Sequence, residues 1–331
     1  MASANEVPRT PGDAAGQPMS GETMAIGVCT HNRGEALGRT LAALAAMDRV
    51  GGRVARVIVV DNRSTAANRE MAQRLAREHD RGEGFMHFET EDRPGKVAAI
   101  ERFLATTNEA IVGIVDDDVL VDPDWGARML ARADRQPRAG CIGGRIDLRW
   151  ETGPTKIAQR YRQSLAWQDR GGEAHEIESR REFVAGASVV YRREAIDATG
   201  WPAGAVLDCR RGAVLAGGED AELCLRIRRA GWEVWYEPTA RCEHQIPAER
   251  QTTRYIAKLR RSICATEPVL RWIAEGGLAS GEIDSGARRS RRLLVKTLFT
   301  DLRPTRRRVR LAERGGRVLG WDVVRTLNQH S

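Results

Sequence analysis

The chain has 331 residues, of which 41% are apolar, enough to fill the core of one large or two ordinary domains, so wholesale disorder is excluded. Its longest apolar stretches, Leu41 to Met47 and Ile111 to Val115, fall well short of the roughly 18 residues that a membrane-spanning helix needs. The net charge of +8 is uneven: residues 250–331 carry 19 Lys+Arg against 7 Asp+Glu, leaving the first 249 residues mildly acidic.

In chain order, residues 1–22 are rich in Pro, Gly, Ala and Ser and lack the apolar core of a signal peptide, which predicts a disordered tail and no export. Six cysteines without a C-x-x-C pair read as reduced thiols in a cytoplasmic protein. Short runs rich in β-branched residues follow at Ala25–Cys29, Arg56–Val60, Phe85–Phe88 and Ile111–Val115, the pattern of buried strands. Between the first two, Leu37, Leu41, Leu44 and Ala45 repeat at helical spacing, and residues 66–79 do the same. Strand and helix alternate, which predicts βαβ units around a parallel sheet covered on both faces. A helix is expected from Pro123 to about Arg135, a strand over 141–146, an irregular stretch over 150–215, then a helix over 221–230 and a strand over 233–236. Beyond Pro247 every pattern is helical, broken at Gly276, Gly277, Gly281 and Pro304, so residues 247–331 read as an appended basic helical subdomain.

Ligands in open α/β sheets sit beyond the carboxyl ends of the strands, so the residues that follow each apolar run are the candidates for a site. They are Thr30-His31-Asn32-Arg33, Asp61-Asn62-Arg63-Ser64 and Asp116-Asp117-Asp118. Three adjacent carboxylates at the mouth of a buried strand repel one another unless a cation lies among them, and hard oxygen donors suit Mg²⁺ or Mn²⁺. Taken singly, Asp61 also fits a turn or a helix cap, and Asp122 and Asp124 fit a helix N-terminus. A second acidic group, Gly217-Gly218-Glu219-Asp220, opens an amphipathic helix, where a carboxylate serves either as a dipole partner or as a general base. No G-x-G-x-x-G follows the first strand, and Gly95-Lys96 lacks the Ser or Thr of a P-loop, which disfavours a dehydrogenase and a P-loop NTPase.

Six fragments, in order, resemble the inverting family 2 of GT-A glycosyltransferases over about Met24 to His244. They are Thr30-x-Asn32-Arg33; Val60-Asp61-Asn62-x-Ser64; Pro94-Gly95-Lys96; Asp116-x-Asp118 with Pro123-Asp124-Trp125; Gly218-Glu219-Asp220-x-Glu222; and Tyr236-Glu237-Pro238 leading to His244. The resemblance implies an α/β, Rossmann-like open sheet flanked by helices over residues 23–246, with a C-terminal helical extension. It implies that Thr30, Arg33 and Asp61 hold the nucleoside, Asp61 at the base, with Asn32 and Asp117 in the same site. It further implies Lys96 near the base or phosphates, Asp116 at the ribose, Asp118 on Mn²⁺ or Mg²⁺, and His244 completing the metal site as in some members. Asp220 would be the catalytic base, with Glu219 beside it. The segment after Lys96, VAAIERFL, departs from the Arg-Asn pair of many relatives.

The implied partners are a nucleotide-sugar donor, most often a UDP-sugar, and a hydroxyl acceptor such as a lipid-linked or polysaccharide precursor; nucleic acid is not expected. Two alternatives remain in sequence terms: a sugar nucleotidyltransferase, whose Gly-rich loop after the first strand is missing here, and a non-catalytic binding module with a vestigial site. Trp150, Trp167 and Trp201 fit either sugar stacking or core packing. In the tail, apolar and basic residues mix over 285–312. That pattern suits either docking on an anionic membrane surface or leucines packed inward beneath solvated arginines.

Overall fold

The computed structural model describes residues 21–80, 83–179, 182–207, 217–300 and 303–329. The tail expected over 1–22 lies outside these apart from Gly21 and Glu22, and Cys209 also lies outside them. The other five cysteines are free thiols.

The elements run β1 (Met24–Thr30), α1 (Gly34–Ala46), β2 (Val54–Asn62), α2 (Ala66–Asp80), β3 (Met86–Glu91), α3 (Lys96–Ala105), β4 (Ile111–Val115), β5 (Val119–Val121) and α4 (Trp125–Arg135). They continue with β6 (Ala139–Trp150), α5 (Lys156–Arg160), β7 (His175–Glu176), β8 (Ser188–Arg192), α6 (Arg193–Asp197), α7 (Glu219–Arg229) and β9 (Glu233–Ile246). Three long helices close the chain: α8 (Thr253–Glu275), α9 (Ser280–Thr300) and α10 (Pro304–Gln329).

The strands form one sheet in the order β3-β2-β1-β4-β8-β6-β9-β5, with β7 on β9. Strands β1 to β4 are mutually parallel where they pair, as the alternating pattern predicts. The sheet as a whole is mixed, a correction to the all-parallel expectation. Strand β8 enters antiparallel between β4 and β6, and β5 and β7 pair antiparallel with β9. The predicted strand over 141–146 is the middle of β6, and that over 233–236 is the first third of β9.

Because side chains alternate across a strand, each apolar run serves two cores. Met24, Ile26 and Val28 of β1 join Leu37, Leu41 and Leu44 of α1 and Trp125 and Met129 of α4 on one face. Ala25 of β1, Ile58 and Val60 of β2 and Val112 and Ile114 of β4 meet Phe103 of α3 and Leu223 and Ile227 of α7 on the other. Burial on both faces is why these strands read as unbroken apolar runs.

The C-terminal helices pack on the sheet domain through α7 and α8, whose Leu225, Ala265, Val269 and Ile273 share a core with Trp321 and Val324 of α10. Helix α10 lies against α8 with its backbone nearly touching. A Cβ at Gly316 or Gly320 would collide with the carbonyl oxygens of Arg261 or Ala265.

Candidate functional site

The carboxyl ends of β1, β2 and β4 open into a cavity of about 320 Å³ whose wall includes Thr30, Arg33, Asn62, Lys96, all three aspartates of 116–118, His244 and Arg250. The loops that follow β1 and β2 are held by side chains rather than by regular structure. Asn32, with φ 57°, donates its backbone N–H to Ser64 Oγ (2.9 Å) and accepts from the Thr65 N–H through Oδ1 (2.9 Å), tying the two loops together. Asn62 staples the next turn: its Oδ1 accepts from the Gly95 N–H at 2.9 Å and its Nδ2 donates to the Arg93 carbonyl at 2.7 Å. Asp61 lies beneath this floor, fully buried, with Oδ2 taking Arg69 Nε at 2.9 Å. Its Oδ1 has no hydrogen-bond partner among the described residues, an acceptor without a donor.

The three aspartates take different partners. Lys96 Nζ contacts Asp116 Oδ1 at 2.6 Å and Glu219 Oε1 at 3.4 Å, so one ammonium joins the two acidic groups that are far apart in sequence. Burial works against that charge, but Asp116 and Glu219 outweigh it and hold the Lys96 pKa well above its ordinary value. Asp117 accepts from Thr30 Oγ1 at 2.8 Å, and burial beside the Asp118 charge pushes its pKa up to about 7. Asp118 faces His244 Nε2 at 3.1 Å, Arg250 at 2.9 Å and Arg33 at 3.3 Å. Burial pulls its pKa up, but His244, Arg33 and Lys96 prevail and keep it below the usual carboxylate range.

The donor set around Asp118 fits a small divalent cation. Nδ1 of His244 lies 2.8 Å from the Leu165 carbonyl oxygen, which can only accept, so Nδ1 carries a hydrogen; burial pulls the ring pKa down but Asp118 outweighs it and raises it, and Nε2 would serve as a ligand once a cation displaces its proton. Nε2 and Asp118 Oδ1 stand 3.1 Å apart, close enough for one cation to be shared between them. Among the described residues no three His, Cys, Asp or Glu side chains form a metal cage. Asp118 and His244 would give two protein ligands, an arrangement suited to an ion that takes its other oxygens from phosphate and water.

Asp220 sits at the start of α7, after Gly217 and Gly218, whose φ values of 92° and 101° favour glycine. Its carboxylate accepts the Gly186 N–H at 2.7 Å and the Ala221 N–H at 2.8 Å. That approach requires glycine at 186, since a Cβ there would lie 2.6 Å from the Asp220 Cβ. Beneath it Ile114, Val189, Trp201 and Leu223 line a narrow apolar cavity. Burial and the neighbouring Glu219 charge raise the Asp220 pKa to about 6 against the opposing pull of Lys96. Glu222, one turn on, is fully buried and accepts from the Val206 and Leu207 N–H groups and from Arg226, so it anchors the chain before α7.

Beyond Asp220 a groove of about 590 Å³ runs between the Gly217–Ala221 turn and α8, with Tyr161, Phe183, Leu259, Ile263 and Leu270 along it. Of the candidate tryptophans, Trp201 is buried in the core, Trp150 packs beside Ile246, and Trp167 lies under the Arg162 guanidinium, 4.0 Å from its ring centre.

Two contributors were not marked in the sequence. Arg250 reaches Asp118 from the turn after β9, where nothing local distinguishes it from a surface arginine, and Gly186 reaches Asp220 from the irregular stretch. The only available signal for Arg250 was its nearness to His244.

Comparison with known proteins follows the same outline. The family described as glycosyltransferase like family 2 matches residues 22–265. The succinoglycan biosynthesis protein ExoM of Rhizobium meliloti is 28% identical over 245 residues, 71% of each chain. Among solved structures, the mannosyltransferase PcManGT of Pyrobaculum calidifontis, in complex with GDP-Man and Mn²⁺, superposes with a TM-score of 0.56 at 17% identity over 97% of this chain and 90% of its own. GalNAc-T7 with UDP, GalNAc and Mn²⁺ gives 0.55 at 15% identity over 81% of this chain and 51% of its own. The mixed sheet flanked by helices, with helices at the C-terminus, is the GT-A-like fold.

Proposed function

The chain belongs to the glycosyltransferase like family 2, and from that premise we propose that it transfers a sugar from a nucleoside-diphosphate sugar to a hydroxyl acceptor with inversion at the anomeric carbon. A UDP-sugar is the donor, and a polysaccharide or lipid-linked precursor is the acceptor; the similarity to ExoM supports the polysaccharide setting. The observation that carries the reading is the Lys96 bridge, which sets the acidic cavity at Asp116–Asp118 beside a carboxylate pair at 219–220 that opens onto a second groove.

The donor occupies the cavity and the acceptor the groove. Thr30 and Arg33 border the nucleoside, and the unpartnered Oδ1 of Asp61 is suited to a base N–H. Asp116 meets the ribose, while Asn32 and Asp117 keep the surrounding loops and Thr30 in place. Arg33, Lys96 and Arg250 supply positive charge to the diphosphate. Asp118 and His244 would hold Mn²⁺ or Mg²⁺, which would supply Lewis-acid stabilisation of the leaving group.

Asp220 takes the acceptor proton as the acceptor oxygen bonds to the anomeric carbon and the bond from that carbon to the diphosphate oxygen breaks. One displacement from the face opposite the leaving group inverts the centre, and no protein nucleophile takes part. Glu219, tied to Lys96, keeps the ammonium near the base.

The test incubates the chain with a panel of nucleotide sugars, acceptor candidates and Mn²⁺ and measures nucleoside diphosphate release, with and without EDTA. Metal-dependent release, with an anomerically inverted product by NMR, is the expected result. Pyrophosphate formation from a sugar phosphate and a nucleoside triphosphate would mark a nucleotidyltransferase instead. No turnover with any donor would leave a binding module.

A further inference from the structure

Between Arg288 and Arg310 the chain carries ten Lys+Arg and one acidic residue, Asp301. On α9, Ser290 and Thr297 are buried, and Arg314 of α10 donates to Thr297 and to the Leu293 carbonyl, which fixes the side of α9 that packs inward. The opposite side carries Arg288, Arg292, Val295 and Phe299 at spacings of four, three and four, one stripe along a helix. Phe299 is 79% exposed and Val295 55%, and Leu293 and Leu298 are exposed beside them. Among the described residues these four are the exposed large hydrophobics, all within two turns of one helix end. The start of α10 adds exposed Arg303, Arg306, Arg307 and Arg308 next to that end.

We propose that the C-terminal end of α9 and the first turns of α10 form a docking surface for an anionic phospholipid bilayer, with Phe299, Leu298 and Val295 set among the acyl chains and the arginines on the headgroups. Charge and polarity select this occupant. A second copy of the chain would bring the same basic cluster against itself. A nucleic acid would satisfy the arginines but has little use for aliphatic side chains, and Phe299 is the single aromatic residue of the patch. An anionic bilayer meets both demands with one surface. The helix lies on the membrane and does not cross it, as no described helix is long and apolar enough to span. Val309, just past the arginines, is buried in the same apolar cluster as Ile256 and Ala257 of α8. The inference stands on surface chemistry alone and is independent of the glycosyl-transfer reading.

Co-sedimentation of the full chain with vesicles of phosphatidylcholine, alone or mixed with phosphatidylglycerol, tests it. The full chain should pellet with the mixed vesicles, stay in solution with phosphatidylcholine alone, and be released by salt. Leu298→Ser with Phe299→Ser should weaken binding by about a hundredfold by removing apolar burial. Replacement of Arg288, Arg289 and Arg292 by Gln should weaken it by a similar factor, at roughly fivefold per basic residue. All these positions are exposed, and unchanged melting temperatures would show that the variants fold. Failure to pellet with anionic vesicles at low salt would overturn the proposal, as would binding untouched by both variants. So would a concentration-dependent dimer in sedimentation velocity that the serine variant dissolves, which would make the patch a self-association face.

Discussion

Replacement of Asp220 by Asn separates chemistry from folding, because the two consequences can be worked out independently. The folded pKa is about 6 against an ordinary 3.8. A carboxyl whose pKa is raised on folding favours the fold when protonated. Stability is thus fullest below pH 3.8, falls as pH rises through 6, and above that is lower by on the order of 3 kcal/mol. Asn carries no charge and removes that penalty. It also keeps a single acceptor oxygen where Asp220 accepts from both Gly186 and Ala221. One buried N–H is left facing an amide, at a cost of about 1–3 kcal/mol. The two effects nearly cancel, so the melting temperature near pH 8 should move by no more than a few degrees. Turnover, by contrast, should fall by roughly 10²- to 10⁴-fold, with donor affinity close to that of the unaltered chain. Steady-state release of nucleoside diphosphate, paired with calorimetric donor binding, gives both quantities. In the unaltered chain kcat should fall on acidification with a midpoint near 6, as Asp220 takes up a proton. A variant with normal kcat and weakened donor binding would refute the assignment of the base, and so would a flat pH profile between about pH 5 and 8.

Lys96→Met removes the charge that lowers the Asp220 pKa, so the acidic limb of the kcat profile should move to higher pH; a limb that stays in place would show that the bridge does not tune the base. Asp118→Ala deletes the carboxylate facing His244, Arg33 and Arg250, and Mn²⁺-dependent UDP binding by calorimetry should weaken by more than about 100-fold; retention of that binding would place the metal elsewhere. Gly320→Ala forces a methyl group onto the Ala265 carbonyl and Pro268. Thermal melting should show a loss of about 1–3 kcal/mol, and an unchanged melting temperature would mean that α8 and α10 can separate at little cost.

The strands that the sequence displays plainly are those buried on both faces. AIGVC, RVIVV and IVGIV need no partner to be recognised, and the polar residues that follow them mark the cavity. Strand β8 is harder to see, because SVVYR is a short run inside a stretch of turns and its antiparallel insertion depends on pairing with β4 and β6. The second half of β9, ARCEHQI, alternates buried with more exposed positions and carries four polar or charged residues that read as loop. The site divides along the same line. Asp116–Asp118 and Glu219-Asp220 stand at element ends and were legible, while Arg250 and Gly186 act through contacts made by distant segments. The tail was ambiguous for a related reason: spacing shows that α9 has an apolar stripe, but only the packing of α10 shows which leucines remain uncovered.

Strand β9 works as a ruler with a parity check. Past the irregularity in its pairing with β6 between Glu237 and Arg241, its even-numbered residues Ala240, Cys242, His244 and Ile246 are all buried, and the strand is gripped in turn by β6, β7 and β5. His244 reaches Asp118 because it stands an even number of steps beyond Ala240, in the regular part of the strand that pairs with β5. Insertion or deletion of one residue between them would invert the phase, turning His244 away and presenting Glu243 or Gln245 in its place. A change of two residues would restore the phase but displace the imidazole by about 7 Å along the strand. Length variation in this protein is therefore admissible in the exposed turns of 152–153 and 171–173, while residues 240–246 of β9 are held to a fixed count.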